Sequence, residues 1–177
     1  MSGERVFEFD IRAEIERFFD DTSLSKGIRP RIVIYTGGVA AGKTTLRKQQ
    51  CATGYVVVDA VEIFLNLSRG GYYPFPEAFK EPMEIIGSLV ARRAVRERRH
   101  IVTELVGADC EPVEALIKAL RSVDYEVHVI GVTCDVDEAW RRNVERGDNA
   151  ISAFYAEPFQ RRWLVEAAAE ARSATPD

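Results

Sequence analysis

The sequence contains few of the residues that build disulfide frameworks and metal centres. Its 177 residues include three cysteines and two histidines. The cysteines are odd in number, widely spaced and never arranged as CxxC, which predicts reduced thiols rather than a disulfide framework or a zinc site. No stretch approaches the roughly 20 apolar residues that cross a bilayer, and the acidic N-terminus is unlike a signal peptide. We therefore expect a cytoplasmic protein without a membrane partner.

The sequence also lacks an excess of basic charge. With 24 lysines and arginines against 28 acidic residues, its formal net charge is −4, which argues against nucleic acid or an anionic membrane as the main partner. The arginine-rich run ARRAVRERRH at 91–100 is interpreted as the solvated end of a helix, where the helix dipole favours cations. A nucleic-acid end kinase that uses this run is the alternative.

Apolar segments of two kinds alternate along the chain. Nearly continuous apolar runs predict strands, and these are RIVIY, YVVVD, HIVTEL and YEVHVIGVT. The segments between them carry helical periodicity or helix caps. This alternation predicts an α/β fold with a mostly parallel central sheet and helices on both faces. We expect a single domain over residues 1–177, with an amphipathic helix within 1–29 packed on it.

The stretch GGVAAGKTT directly follows the first predicted strand and matches the phosphate-binding pattern G-x-x-x-x-G-K-[ST]. Its glycines let successive N–H groups turn toward a phosphate, and the following helix adds the positive end of its dipole. Lys43 is expected to reach the β- and γ-phosphates, and Thr44 to hold Mg²⁺. The remaining residues of the predicted nucleotide cradle are Gly37, Gly38, Val39, Ala40, Ala41, Gly42 and Thr45. The fold is thus predicted to be the three-layer P-loop fold of nucleoside triphosphate-binding proteins.

Carboxylates stand at or near the ends of two other predicted strands. Asp59 ends YVVVD and Glu104 lies near the end of HIVTEL. Because the carboxyl ends of parallel strands share one edge of a sheet, both are expected near the triphosphate. Asp59 is the predicted base for an acceptor hydroxyl, and the alternative is a helix cap completed by Glu62. Glu62 and Glu104 are predicted acceptor-side residues, and Glu104 has the alternative role of holding a Mg²⁺-bound water.

Cations that neutralise the transferring phosphoryl group are predicted on the helix DVDEAWRRNVERG. Arg142 and Arg146 share a face of that helix at i,i+4 spacing. They immediately precede residues 147–157, a candidate lid. The alternative is purely structural, since Glu138 can pair with Arg142, and Arg146 suits the C-terminus of any helix.

An aromatic segment, GGYYPFP at 70–76, follows the helix after Asp59. Tyr72 and Tyr73 are interpreted as a wall of the acceptor site, because exposed aromatic loops commonly bind something. Packing of this segment over the core is the alternative.

Four of these segments together resemble the zeta-toxin family of kinases over roughly residues 31–163. They are GGVAAGKTT after a strand, VVVDAVEIF, IVTEL and DYEVHVIGVTCDVDEAWRRNVERG. The resemblance implies phosphorylation of a sugar hydroxyl of UDP-N-acetylglucosamine by ATP or GTP with Mg²⁺, and it adds an antitoxin protein as a further partner. The implied roles are Lys43 and Thr44 on the triphosphate and metal, Asp59 as base, Glu104 near the acceptor, and Arg142 and Arg146 on the phosphates.

The sequence therefore predicts a Mg²⁺-dependent kinase that transfers the γ-phosphoryl group of ATP or GTP to a hydroxyl of a small molecule. The alternative is a nucleotide-binding regulatory module that acts through a protein partner with little or no phosphotransfer. Both use the same nucleotide cradle.

Overall fold

The computed structural model describes residues 9–22, 24–25, 27–69, 77–107, 109–146 and 157–174. Its elements in chain order are α1 (Ile11–Arg17), β1 (Arg31–Thr36), α2 (Lys43–Gln50), β2 (Tyr55–Val57), α3 (Ala60–Leu67), a 3₁₀ turn (Glu77–Phe79), α4 (Lys80–Arg96), β3 (His100–Leu105), α5 (Cys110–Arg121), β4 (Glu126–Gly131), α6 (Val136–Arg146) and α7 (Glu157–Ser173). Tyr72, Tyr73 and residues 147–156 of the candidate lid lie outside the described residues. None of the described helices is long and apolar enough to cross a membrane.

Within the described part of the chain, four parallel strands form one sheet in the order β2-β3-β1-β4. In the central strand β1, Ile34 lies opposite Thr103 of β3 on one side and Val129 of β4 on the other. Helices connect the parallel strands, as parallel pairing requires. The predicted α/β fold with a parallel sheet is confirmed.

Both faces of the sheet are covered, which explains why β1 is apolar throughout. Ile32 and Ile34 point into the larger core cluster, which they share with residues of α3, α4, α5 and α7. Val33 and Tyr35 point into a smaller cluster on the opposite face, with Cys51 at the end of α2. A strand buried on both faces has no polar side to present, so its sequence does not alternate.

Two predicted strands are shorter than the sequence suggested, and each has a local cause. β2 ends at Val57 because Asp59 turns its carboxylate onto the start of α3, accepting from the Val61 N–H at 2.7 Å. β4 begins at Glu126 because the Tyr125 N–H bonds back to Leu120 at the end of α5. In both places a residue that the sequence assigns to a strand bonds instead to the end of a neighbouring helix.

The arginine-rich run at the end of α4 is engaged in ion pairs within the chain. Arg92 pairs with Glu170, Arg93 with Glu16 and Glu97, Arg98 with Asp124, and Arg99 with Glu97. The helix ends at Arg96, and the pairs tie its end to α1, α7 and the start of β4. This agrees with the interpretation of the run as a helix end.

We predict that Gly87→Ala destabilises the contact between α4 and α7. A Cβ atom at Gly87 would lie 2.3 Å from ring carbons of Trp163, which is 1 % exposed. Overpacking of this kind costs about 1–3 kcal/mol of unfolding free energy. Gly131→Ala is the matched control, because nothing lies within 4 Å of its added Cβ. Urea denaturation compares the two, and equal midpoints would contradict the close packing.

Candidate active site

The loop between β1 and α2 needs glycine at two of its positions. Gly37 has φ +153°, and an added Cβ would lie 2.1 Å from the Val132 carbonyl oxygen. Gly42 has φ +102° and is the N-cap residue of α2, with no side chain to cap the first turn. Such a helix start presents main-chain N–H groups and a positive dipole end, which together suit an anion. The loop geometry therefore fits a phosphate.

Lys43 is the first residue of α2 and folds back over the loop. Its Nζ donates to the carbonyl oxygens of Gly37 at 2.7 Å and Gly38 at 2.8 Å. The ammonium group is therefore held at the loop, within reach of a phosphate bound to the adjoining N–H groups. This is the position that the sequence pattern predicts for the lysine of a phosphate-binding loop.

A chain of polar contacts joins Thr44 to Glu104 near the end of β3 and to Glu62 in the first turn of α3. The Thr44 hydroxyl donates to Glu104 Oε2 at 2.8 Å, and Arg47 Nε donates to Glu104 Oε1 at 2.5 Å. A terminal nitrogen of Arg47 donates to Glu62 Oε1. The Arg47 side chain is only 5 % exposed. One buried guanidinium thus joins two of the predicted acceptor-side acids.

Thr44 and Glu104 supply the kind of oxygen ligands that Mg²⁺ takes in nucleotide sites. Magnesium is commonly held by one or two protein groups together with phosphate oxygens and water. Among the described residues no group of three or more His, Cys, Asp or Glu side chains forms a metal cage. The residues present therefore fit a cation that arrives with a nucleotide, and Thr44 and Glu104 are the residues that would hold it.

Asp59 is buried beside this chain of contacts. Its Oδ1 accepts from the N–H groups of Val61 at 2.7 Å and Glu62 at 3.4 Å, so it does cap α3. Burial and the negative charge of Glu104 raise the pKa of Asp59 to about 7, against the opposing charge of Arg47. A carboxyl with a pKa near neutrality is suited to accept a proton from a hydroxyl. The capping and proton-accepting roles are compatible.

Helix α7 reaches the same edge through Gln160, a buried residue. Its side-chain oxygen accepts from the Ala60 N–H at 3.1 Å, and its amide donates to the Glu104 carbonyl oxygen at 2.8 Å and to Thr103 Oγ1 at 3.3 Å. Gln160 therefore fixes the end of β3 against the start of α3, the two segments that carry Glu104 and Asp59.

On the other side of the loop, α6 contributes Arg142 to an open cavity of about 420 Å³. The cavity is lined by Ala40, Gly42, Thr45, Leu46, Gln49, Val132 and Arg142. A terminal nitrogen of Arg142 comes within 4.0 Å of a Cβ placed at Gly42, and its Nε donates to Glu138 at 2.7 Å. Arg142 thus stands beside the loop and pairs with Glu138 as the structural alternative expected, while its role on the phosphates stays a prediction. The Arg146 side chain lies outside the described residues.

Sequence reasoning missed Arg47 and Gln160. A signal for Arg47 was present, since it lies three residues after Thr44 and shares its face of α2. Gln160 had no local signal, because Ala60, Thr103 and Glu104 are remote in sequence. The structure brings Lys43, Thr44, Asp59, Glu62 and Glu104 to one edge of the sheet.

Comparison with known proteins agrees with this geometry. The family profile described as Zeta toxin matches residues 15–174. The chain belongs to the zeta-toxin family. A solved chain from the PezAT chromosomal toxin–antitoxin system of the human pathogen Streptococcus pneumoniae is similar to this family member, with 16 % sequence identity and a TM-score of 0.58. The likeness covers 77 % of this chain and 60 % of that chain, and at this identity it shows a shared fold. No curated protein matches the sequence.

We predict that the raised pKa of Asp59 makes stability fall with pH. In the unfolded chain this carboxyl has a pKa of 3.8, and in the folded chain about 7. Between these values the folded state holds the extra proton, so the free energy of unfolding falls as pH rises, by up to about 1.4 kcal/mol per pH unit. Asparagine caps a helix about as effectively as aspartate does, but its side chain does not titrate.

The measurement compares urea denaturation of wild type and Asp59→Asn at a series of pH values from 4 to 8. We expect the wild type to lose stability relative to the variant between about pH 4 and pH 7. Asp59→Ala serves as control, since loss of the cap costs about 1 kcal/mol at every pH. Parallel profiles for wild type and Asp59→Asn would show that the pKa is not raised.

Proposed function

We propose that this member of the zeta-toxin family is a Mg²⁺-dependent kinase that transfers the γ-phosphoryl group of ATP or GTP to a hydroxyl of a small molecule. The observation that carries the proposal is the buried carboxyl of Asp59, with a pKa of about 7, on the edge that holds the phosphate-binding loop. Nucleotide binding alone does not call for a near-neutral carboxyl, whereas proton abstraction does.

Each polar residue of the site then has a role in phosphoryl transfer. The acceptor oxygen attacks the γ-phosphorus, the bond from that phosphorus to the β–γ bridging oxygen breaks, and the nucleoside diphosphate leaves. The Asp59 carboxylate takes the hydroxyl proton. Lys43 exchanges its carbonyl partners for phosphate oxygens and, with Arg142, offsets the charge of the transferring group. Thr44 would hold Mg²⁺, which would supply positive charge to offset the negative charge of the phosphates.

The cavity beside α2 supports binding of the nucleoside part. It combines the apolar Leu46 and Val132 with the amide of Gln49 and the cation of Arg142. Its volume of about 420 Å³ lies in the range of small-molecule sites. A donor nucleoside in this cavity would place its phosphates on the loop. Such donors are cytoplasmic, and we propose that location for the enzyme.

The acceptor proposed is a nucleotide sugar such as UDP-N-acetylglucosamine, on the strength of family membership. Glu62 and Glu104 would accept hydrogen bonds from its hydroxyl groups. The similar solved chain comes from a toxin–antitoxin system, and we propose an antitoxin protein as partner for this chain as well.

We predict that Lys43→Ala and Asp59→Asn separate binding from chemistry. Lys43→Ala should weaken binding of a non-hydrolysable Mg²⁺–ATP analogue at least tenfold, because a charge-assisted contact is lost. Asp59→Asn should leave that affinity within about threefold and lower the rate of phosphoryl transfer by about 10²–10⁴-fold, the usual contribution of a general base. Calorimetry measures the first quantity, and transfer of radiolabelled γ-phosphate to candidate acceptors measures the second.

Arg92→Met on α4 is the control for both measurements. Arg92 is an exposed arginine, and its ion pair is with Glu170 of α7 rather than with a residue of the candidate site. If the wild type binds nucleotide but never transfers phosphate to nucleotide sugars or other metabolites, the kinase proposal fails. A regulatory nucleotide-binding module would then explain the site better.

A further inference from the structure

We propose that Arg47 is a positioning residue that aims Glu104 at the metal-binding hydroxyl of Thr44, so that the Mg²⁺-dependent part of nucleotide affinity depends on Arg47. The inference deepens the proposed function and rests on it for the identity of the nucleotide and the cation. It assigns a role to a buried residue that bonds to Glu104 and Glu62.

The geometry gives Glu104 two distinct oxygens. Oε1 accepts from Arg47 Nε at 2.5 Å, while Oε2 accepts from the Thr44 hydroxyl at 2.8 Å. With Oε1 held by the guanidinium, Oε2 is turned toward the residue that would bind Mg²⁺. A carboxylate with one oxygen anchored needs no reordering when the cation arrives, which reduces the entropic cost of binding.

The burial of Arg47 excludes a direct role on phosphate. Its side chain is 5 % exposed, and its donors are turned to Glu62 and Glu104 rather than to the loop. Burial alone would lower the pKa of Arg47, but the hydrogen bond to Glu104 and the charge of Glu62 outweigh it and leave the pKa raised. The guanidinium therefore stays charged, and Lys43 remains the cation at the loop.

The planar guanidinium also fixes the separation of the two acids. Its Nε and a terminal nitrogen point to Glu104 and Glu62 at once, which a single ammonium group cannot reproduce with the same geometry. A purely structural ion pair would tolerate replacement by apolar groups of similar size, often without loss of stability. A positioning role predicts that such a replacement preserves folding and still damages metal binding.

The experiment uses the full chain and four variants: Arg47→Lys, Arg47→Met, Arg47→Met combined with Glu62→Gln, and the control Arg92→Met. The double variant keeps the net charge of the cluster, because one positive and one negative charge are removed together. Calorimetry gives the Kd of a non-hydrolysable ATP analogue in excess Mg²⁺ and in EDTA. Urea denaturation monitors folding of each variant in parallel.

We expect the wild type and Arg92→Met to bind the analogue more tightly with Mg²⁺ than in EDTA. The Mg²⁺-dependent gain is the Kd in EDTA divided by the Kd in excess Mg²⁺. In Arg47→Met and in the double variant this ratio should fall by about 10–100-fold, the usual effect of losing a residue that orients a metal ligand. The Kd in EDTA should stay within about threefold of wild type. Arg47→Lys keeps a positive charge between the two acids, so it should preserve the fold but retain only part of the Mg²⁺-dependent gain.

Three results would contradict the role of Arg47, the kinase proposal, or both. If the folded double variant keeps the full Mg²⁺-dependent gain, Arg47 is structural and the inference fails, whether or not the kinase proposal holds. If the wild type shows this gain without phosphoryl transfer, and the Arg47→Met variants lose the gain, the kinase proposal fails while the role of Arg47 stands. If the wild type shows no Mg²⁺-dependent gain, both are overturned.

Discussion

The site depends on how three carboxyl groups are held around one buried positive charge. Asp59 and Glu62 lie at the start of α3 and Glu104 lies near the end of β3, and the charge of Arg47 acts on all three. Without a cation among them, carboxylates in a low-dielectric surrounding would repel one another. The charge of Arg47 opposes the effects of burial and of Glu104, which together raise the pKa of Asp59 to about 7. Under the proposed function, the same arrangement supplies both metal-side and proton-accepting oxygens.

The parallel sheet is what makes this arrangement possible. The loop follows β1, Asp59 follows β2, and Glu104 is the fifth residue of β3, so neighbouring strands deliver all three to one edge. Helix α7 then closes the edge through Gln160, whose amide bonds to the main chain of both segments. A buried amide with acceptors and donors on two elements holds their spacing more firmly than apolar packing does, because each lost hydrogen bond leaves a buried polar group unsatisfied.

Much of the fold and part of the site could be predicted from the sequence, for local reasons. Apolar runs mark the four strands, and Asp135 caps α6 as its spacing with Glu138 indicates. Residue spacing places Thr44 in the first turn of α2, but the contacts of Arg47 depend on Glu62 and Glu104, which only the folded chain brings near. Gln160 is still more remote from its partners in sequence. The predicted roles of Tyr72, Tyr73 and Arg146 stay predictions.

The position of Lys43 also bears on which anions this loop can retain. Its ammonium group already has two main-chain oxygens, those of Gly37 and Gly38. When an anion binds, Lys43 exchanges a bond to a carbonyl oxygen for a bond to a charged oxygen. The gain in binding free energy is therefore only the difference between these two bonds. A single small anion such as sulfate gains little from that swap. A ligand with several linked phosphates also bonds to the main-chain N–H groups of the loop, so the contacts of Lys43 favour polyphosphates over a single small anion.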